Sequence, residues 1–290
     1  MFTSSIPWYF TTIEIGAYLL TLLLLVHAWR QGRYMFLTLL MAFSYGYLLE
    51  YTDMRDFHAY HYNPFNVMLP GGVPLAVSLS WGVIFYAALQ TSNMLGFAWQ
   101  RRPWLDGLLG LVIDLAMDPI AARLGYWVWT PPGPWLGIPL SNFFGWLAVI
   151  TILSYVWRAT RRRFQPESRG LPAQLLLLAG VMVASLVLLF VVLGLFTKVA
   201  ITSPLLQAVL TAVWIIVAVL VLAPVVATFK RNNPVAWPVL AVPLFFFGYM
   251  LFMLVFAVAS PGAALVVNTA ATAVAGLALY TLPYQKRGGL

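Results

Sequence analysis

The chain alternates between long apolar stretches and short polar ones. A transmembrane helix needs roughly 20 mostly apolar residues, and nine stretches of the chain approach or exceed that length. The predicted spans are residues 8–29, 34–50, 74–99, 104–124, 139–157, 171–196, 204–229, 235–258 and 262–282. The second span is short, Pro238 and Pro243 interrupt the eighth, and the ninth is rich in alanine and threonine. The pattern predicts an all-α, polytopic membrane bundle of about nine helices, with eight as the alternative count.

The composition of the 290-residue chain supports this prediction. Hydrophobic residues make up 62% of the chain and charged residues only 8%, whereas a soluble domain carries about 25% charged residues. The sequence contains no cysteine, which excludes disulfides, thiolate metal sites and cysteine nucleophiles. We therefore expect a single transmembrane domain, residues 1–290, that crosses the plasma membrane several times.

The distribution of basic residues predicts the orientation. Thirteen of the sixteen lysines and arginines follow the odd-numbered spans, and only Arg55, Arg123 and Lys198 fall in the other loops. Because cytoplasmic loops carry the positive excess, we expect the N-terminus outside and the C-terminus in the cytoplasm. The alternation holds at every loop, which favours nine spans over eight. The arginine-rich segment 158–169 is interpreted as a loop on anionic lipid, so the net charge of +8 does not indicate nucleic-acid binding.

The two halves of the chain differ in chemistry. Residues 1–157 hold seven of the eight acids, all three histidines and ten of the twelve tryptophans, whereas residues 171–290 contain no acid. We expect the first half to carry the chemistry. The second half is predicted to provide packing or a hydrophobic wall.

Four acidic residues are predicted to lie within the membrane. At about 1.5 Å per residue, Glu14, Glu50, Asp114 and Asp118 fall in the outer half of three different helices. Asp114 and Asp118 are four residues apart, which places them on one helical face. Ionisable residues at this depth are rare and typically functional, so all four are candidate catalytic residues.

Each aspartate in the fourth span also has a purely structural interpretation. The pair Asp114 and Asp118 could form an ion pair with Arg123 or a hydrogen bond to Asn142 across the bundle. Asp106 is predicted to form an interfacial salt bridge with its neighbours Arg101 and Arg102.

Motifs for metal or cofactor binding are weak or missing. His58 and His61 are three residues apart and could bind a metal with Asp53 or Asp56, but this spacing alone does not define a site. The sequence has no glycine-rich phosphate loop, no serine hydrolase elbow and no aspartate-rich motif of the prenyl-diphosphate type. We expect neither a metal nor a cofactor.

Aromatic side chains are concentrated beside the acids. These aromatic residues include Tyr60, Tyr62, Trp81, Trp127, Trp129, Phe143 and Trp146. An interfacial aromatic belt explains some of them, but a belt would appear at both faces of the membrane. Acids next to aromatic faces suit a reaction in which a carboxyl group donates a proton and aromatic rings stabilise the resulting carbocation.

One stretch resembles a known family. Asp118-Pro119, the run from Gly125 to Trp129 and the run from Gly137 to Trp146 match the pattern D-P…G-x-W-x-W…G-I-P-x-x-N-F-x-G-W. This pattern is similar to that of the membrane carotenoid-biosynthesis proteins, which include carotenoid 1,2-hydratases of the γ-carotene and bisanhydrobacterioruberin type. Upstream, Glu50, the Tyr60-x-Tyr62 pair and Trp81 also look like that family, and the likeness covers roughly residues 40–157.

The resemblance implies a hydratase that adds water to the terminal double bond of an acyclic carotenoid without a cofactor. Its partners would be a hydrophobic isoprenoid or carotenoid substrate and membrane lipid. A buried carboxyl group stays protonated near neutral pH, so Asp118 or Asp114 is the expected proton donor. The neighbouring aspartate or Glu50 would activate water, and Glu14 is a further candidate. The expected substrate-binding or cation-stabilising residues are Tyr60, Tyr62, Trp81, Trp127, Trp129, Asn142, Phe143 and Trp146.

Two other functions fit the same residues. A terpenoid or carotenoid cyclase would use the same protonation but capture the cation with an internal alkene. A proton-coupled transporter or lipid-binding membrane protein would use the acids as a proton relay, and the interrupted eighth span resembles the discontinuous helices of transporters. The missing inverted repeat disfavours the transporter. The sequence does not fix the oligomeric state.

Overall fold

The computed structural model describes residues 6–95, 98–200, 203–226 and 235–281. Nine α-helices lie within these ranges: α1 Trp8–Arg30, α2 Arg33–Phe57, α3 Leu75–Asn93, α4 Arg102–Leu124, α5 Leu140–Phe164, α6 Leu171–Ala200, α7 Pro204–Val226, α8 Trp237–Phe256 and α9 Ala263–Thr281. Seven of them, all except α2 and α4, are long and apolar enough to cross a membrane. The prediction of an all-α, multi-pass membrane protein is confirmed.

The orientation of the termini stays a prediction. Four of the basic residues that support it, Lys230, Arg231, Lys286 and Arg287, lie outside the described residues. We use "outer end" for the end of the bundle at which α1 begins, and "inner end" for the opposite end.

Several helix boundaries differ from the predicted spans. Helix α2 continues to Phe57 and α5 continues to Phe164. The residues at the ends of these helices are largely polar, so the apolar pattern stops before them, but such residues are compatible with a helix. Arg158 and the arginines up to Arg163 therefore lie on a helix, and the predicted loop is wrong for them. Helix α8 is continuous across Pro243, so the predicted interruption of the eighth span is also wrong.

Helix α4 forms the centre of the bundle. It packs against α3, α5, α7, α8 and α9, and most of its length is buried. A methyl group at Gly107 would lie 3.0 Å from the carbonyl oxygen of Leu147 on α5, so glycine permits the close approach of these two helices. Helices α6 and α7 instead expose large apolar side chains such as Leu176 and Leu205, each 75% exposed. The apolar helices thus separate the charged residues of α4 from lipid.

Two small antiparallel sheets at the outer end were not predicted. Strand β1 (Tyr60–Tyr62), which follows α2, pairs with β4 (Trp127–Trp129), which follows α4. Strands β2 (Met68–Leu69) and β3 (Val73–Pro74) form a second pair ahead of α3. Gly125 ends α4 with a φ of 73°, a left-handed conformation that favours glycine, and this turn directs the chain into β4.

Candidate active site

A cavity of about 330 Å³ lies at the outer end of the bundle. Strands β1 and β4 border it, and side chains from α2, α3, α4 and α5 form most of its wall. Side chains alternate across a strand, so Tyr60, Tyr62, Trp127 and Trp129 face the cavity. His61, between the two tyrosines, is exposed on the opposite side. The strand pair thereby brings together four of the predicted aromatic residues.

Glu50 on α2 is the acceptor for three hydrogen bonds. The hydroxyl groups of Tyr60 and Tyr62 donate to its Oε2 over 2.5 and 2.7 Å. The Trp81 indole Nε1 donates to Oε1 over 2.6 Å. The Glu50 side chain is only 5% exposed, and hydrogen bonds of this kind favour the charged form of a carboxyl group. Burial, and then the proximity of Glu50, raise the pKa of both tyrosines well above the ordinary value, so both hydroxyl groups keep their protons and act as donors.

A glycine permits this arrangement of α2 and α3. A methyl group at Gly46 would lie 2.5 Å from Trp81 Cβ and 2.8 Å from the carbonyl oxygen of Ser78. Any larger residue would therefore push the two helices apart at this point. Because Gly46 precedes Glu50 by one helical turn, the contact places the Trp81 indole beside the Glu50 carboxyl group.

The second acidic group of the cavity has a different environment. Asn142 on α5 donates from its Nδ2 to Asp118 over 2.7 Å and to the two oxygens of Asp114 over 3.1 and 3.3 Å. Asp118 lines the cavity, whereas Asp114 lies behind it. Both carboxyl groups are almost fully buried. The predicted hydrogen bond to Asn142 is confirmed, while Arg123 is exposed.

Aromatic rings cover the remaining faces of the cavity. Trp81 and Trp146 stack with ring centroids 4.1 Å apart. Tyr60 packs against Trp129 at 4.8 Å, and Tyr62 packs edge-to-face against Trp127 at 5.8 Å. The carboxyl groups of Glu50 and Asp118, like that of Asp53, thus line the cavity among π-faces rather than beside positive charge.

The second half of the chain completes the wall. Helices α6, α7 and α8 contribute Leu193, Phe196, Thr197, Gln207, Phe246 and Met250. These side chains are mostly apolar, as expected for a hydrophobic wall. The sequence did not indicate which residues of these helices would line the cavity, since the spans are almost uniformly hydrophobic.

A proline in α4 has a specific partner in α9. Pro119 has no N–H group, so the carbonyl oxygen of Leu115, four residues earlier, loses its usual helical donor. The side-chain amide of Asn268 donates to that oxygen over 2.8 Å. Leu115 lies between Asp114 and Asp118, so this contact fixes the helical turn that carries both aspartates. Asn268 was not predicted, although a proline within a helix signals that such a donor is needed.

Several predicted site residues lie away from the cavity. Glu14 is buried and accepts hydrogen bonds from the backbone N–H groups of Asn66 and Val67 and from the Asn66 side chain, so it anchors the loop before β2. Phe143 is buried against Trp135 and does not line the cavity. His58 is exposed at the end of α2. Asp53, considered earlier only as a metal ligand, lines the cavity one turn beyond Glu50.

The predicted partners of Asp106 are wrong. Asp106 is fully buried and forms an ion pair with Arg158 on α5, with an N–O distance of 2.8 Å. Ser154 also donates a hydrogen bond to Asp106. The error follows from the boundary of α5, because a helix that extends beyond residue 157 carries Arg158 back to the start of α4.

A comparison with known proteins gives the family of the chain. The family model described as "Carotenoid biosynthesis protein" matches residues 7–213. No curated protein and no solved structure matches the chain. The matched range includes every helix from α1 to α5, both strand pairs and the acidic residues of the cavity. The chain belongs to the carotenoid biosynthesis protein family.

Proposed function

We propose that the chain is a cofactor-independent hydratase that adds water to a terminal double bond of an acyclic carotenoid or related isoprenoid. The observation that carries this proposal is the pairing of two unlike carboxyl groups, Glu50 and Asp118, in one aromatic cavity. Glu50 accepts three hydrogen bonds, whereas Asp118 shares an amide with a second buried aspartate.

Asp118 is the proposed proton donor. Two adjacent carboxyl groups in a buried setting do not both ionise, because the two negative charges repel each other and neither is solvated. The pair Asp114 and Asp118 therefore holds a proton. Since Asp118 faces the cavity and Asp114 does not, the proton is delivered from Asp118 to the less substituted carbon of the double bond. The tertiary carbon becomes the cation.

Glu50 is the proposed counter-charge and base. Burial disfavours a charge on Glu50, and its three hydrogen-bond donors oppose that effect. As a carboxylate it offers a negative charge to the cation and accepts a proton from water. The water oxygen then bonds to the tertiary carbon. Transfer of the proton from Glu50 back to Asp118 completes the cycle, and the net change is the addition of one water molecule. Tyr62 donates to Glu50 and lines the same cavity as Asp118, which suits a relay between the two carboxyl groups.

The aromatic walls suit the intermediate. A cation within about 6 Å of an aromatic ring face is stabilised by the ring quadrupole, by about 2 kcal/mol or more where water is excluded. The cavity is bordered by the stacked pair Trp81 and Trp146. Trp127 and Trp129 of strand β4 border it as well. A volume of 330 Å³ lies at the small end of the range for ligand pockets, about 300–1,000 Å³. The cavity therefore fits the end of a long polyene better than the whole molecule.

A cyclase is the second candidate, because the acid and the aromatic walls would serve it equally. Polar side chains at the cavity favour hydration. Ser80, Ser141 and Thr197 reach the wall in addition to the three acids, and such groups hold a water molecule in place. A cyclase would gain from excluding that water. The transporter is less favoured, because α8 is continuous.

Pigment analysis tests the proposal. The chain is expressed in a bacterium that already makes lycopene, and the extracted pigments are analysed by mass spectrometry. We expect a new pigment that is heavier by one water molecule, and we expect Asp118→Asn to abolish it. The matched control is Asp56→Asn, which removes an exposed carboxyl group at the same end of the bundle and should leave the product unchanged. A product of unchanged mass but altered retention would instead establish cyclisation.

A further inference from the structure

We propose that the inner end of the bundle contains a binding site for a phosphate-bearing anion, separate from the carotenoid cavity. A second cavity, of about 570 Å³, opens where α3 and α5 end and α4 begins. Its lining includes four arginines, two tryptophans and one acid. Arg102 and Asp118 are sixteen residues apart on α4, or about 24 Å along the helix axis, so the two cavities are distinct.

The charge of this inner cavity is positive. Four arginines line it, and the two nearby acids, Glu167 and Asp106, pair with Arg161 and Arg158. Four positive and two negative groups leave a net charge of +2 for these residues. Such an excess in a partly enclosed space attracts an anion.

The arginines are held in fixed positions. The Arg158 side chain is only 5% exposed, and it donates to Ser154 over 3.0 Å and to Ser92 over 2.7 Å. The guanidinium groups of Arg161 and Arg162 each lie 5.3 Å from a tryptophan ring centre, that of Trp157 and Trp99 respectively. A loop that only sets membrane orientation needs positive charge but no such geometry. Arg158 already donates to four protein side chains, so it contributes charge rather than contacts. The planar guanidinium groups of Arg161 and Arg162 are the ones that match the oxygen atoms of a phosphate group.

The start of α4 adds to the positive potential. The helix begins at Arg102, and no side chain caps its N-terminus. The first N–H groups of a helix carry a partial positive charge that favours anions. This helix end and the arginine cluster act on the same space, and both favour a phosphate group.

Two sources can supply such a group. One is the headgroup of an anionic phospholipid in the adjacent leaflet, and the other is a soluble molecule that carries a phosphate. The test uses the purified full-length chain in an uncharged detergent. Thermal unfolding is followed while phosphatidylglycerol or inorganic pyrophosphate is added, because a ligand that binds the folded state raises the unfolding temperature.

A matched pair of variants separates a site from general charge. Arg162→Gln removes an arginine that lines the cavity, whereas Arg163→Gln removes the next arginine, which does not line it. Both side chains are exposed, so both variants should fold. We expect Arg162→Gln to raise the apparent Kd about tenfold, since a charge-assisted contact is lost. Arg163→Gln should change the apparent Kd by less than about twofold.

Every result bears on the proposal. Stabilisation by phosphatidylglycerol alone, weakened by Arg162→Gln, supports a lipid headgroup site. Stabilisation by pyrophosphate with the same variant pattern supports a soluble phosphate-bearing ligand. The proposal is overturned if neither compound stabilises the chain, or if the two variants weaken binding equally.

Discussion

The contact between Asn268 and Leu115 makes a quantitative prediction. Replacing Asn268 with leucine preserves the size of the side chain but leaves the Leu115 carbonyl oxygen without its donor, because Pro119 cannot supply one. A buried polar group without a partner costs about 1–3 kcal/mol. Interhelical hydrogen bonds in membrane proteins have given about 0.6 kcal/mol on average and at most about 1.7. We therefore expect Asn268→Leu to lower the free energy of unfolding by about 1–2 kcal/mol.

A double-mutant cycle isolates this contact. In a Pro119→Ala background, the backbone N–H of residue 119 can donate to Leu115, so Asn268 becomes dispensable. The free energy of unfolding is measured by SDS titration for the four combinations of Pro119→Ala and Asn268→Leu. We expect Asn268→Leu to cost about 1–2 kcal/mol with proline and close to zero with alanine. An equal cost in both backgrounds would contradict this prediction, because Asn268 would then act independently of Pro119. The product yield of Asn268→Leu should also fall, since the turn that carries Asp118 loses its support.

Three further predictions concern single side chains. Glu50→Gln should abolish the hydrated pigment, since the substitution removes the proposed base. Glu14→Gln should still form the pigment, although the protein should be less stable. Loss of the pigment in both variants would contradict the assignment of the base to Glu50. Tyr62→Phe should lower turnover about tenfold by removing one charge-assisted donor to Glu50, measured as initial rate with purified protein; an unchanged rate would exclude Tyr62 from the reaction. Asp106→Asn should destabilise the fold by about 3–5 kcal/mol, because Arg158 then stays buried without its counter-charge. Its SDS titration midpoint should drop well below that of Asp56→Asn, and equal midpoints would contradict this.

The sequence predicted the membrane class and much of the cavity. Spans, acids and aromatic residues are local signals, so Glu50, Asp118 and Asn142 could be chosen before their contacts were known. The hydrogen bond from Asn142 to the two aspartates follows from an i, i+4 pair on one helix facing a polar residue on the next. The sequence could not predict that Asp118 lines the cavity and Asp114 does not, because only the packing decides which of the two faces it.

The errors also have physical causes. Strands of three residues are too short to be predicted from a hydrophobic pattern. The alternation of Tyr60 and Tyr62 around His61 is the one feature of the sequence that is typical of strand β1. The sequence predicts a loop at Arg158, because the apolar span ends just before this charged residue. In the structure the helix continues, and the buried Asp106 on α4 neutralises the charge of Arg158. The catalytic role of Glu14 stays a prediction. Its position outside the cavity reflects the loop before β2, whose backbone donates hydrogen bonds to it. Such contacts depend on where a distant segment folds back, which no local pattern contains.

In the proposed reaction Asp118 generates a carbocation and water captures it, so isotope labels in the solvent identify both of the added atoms. Purified protein in lipid is supplied with an acyclic carotenoid in water enriched in heavy oxygen and deuterium. We predict a product that gains one heavy oxygen atom and one deuterium on the adjacent carbon, with none formed by Asp118→Asn. A product whose oxygen does not come from water, or an equal yield from Asp118→Asn, would contradict the proposed reaction.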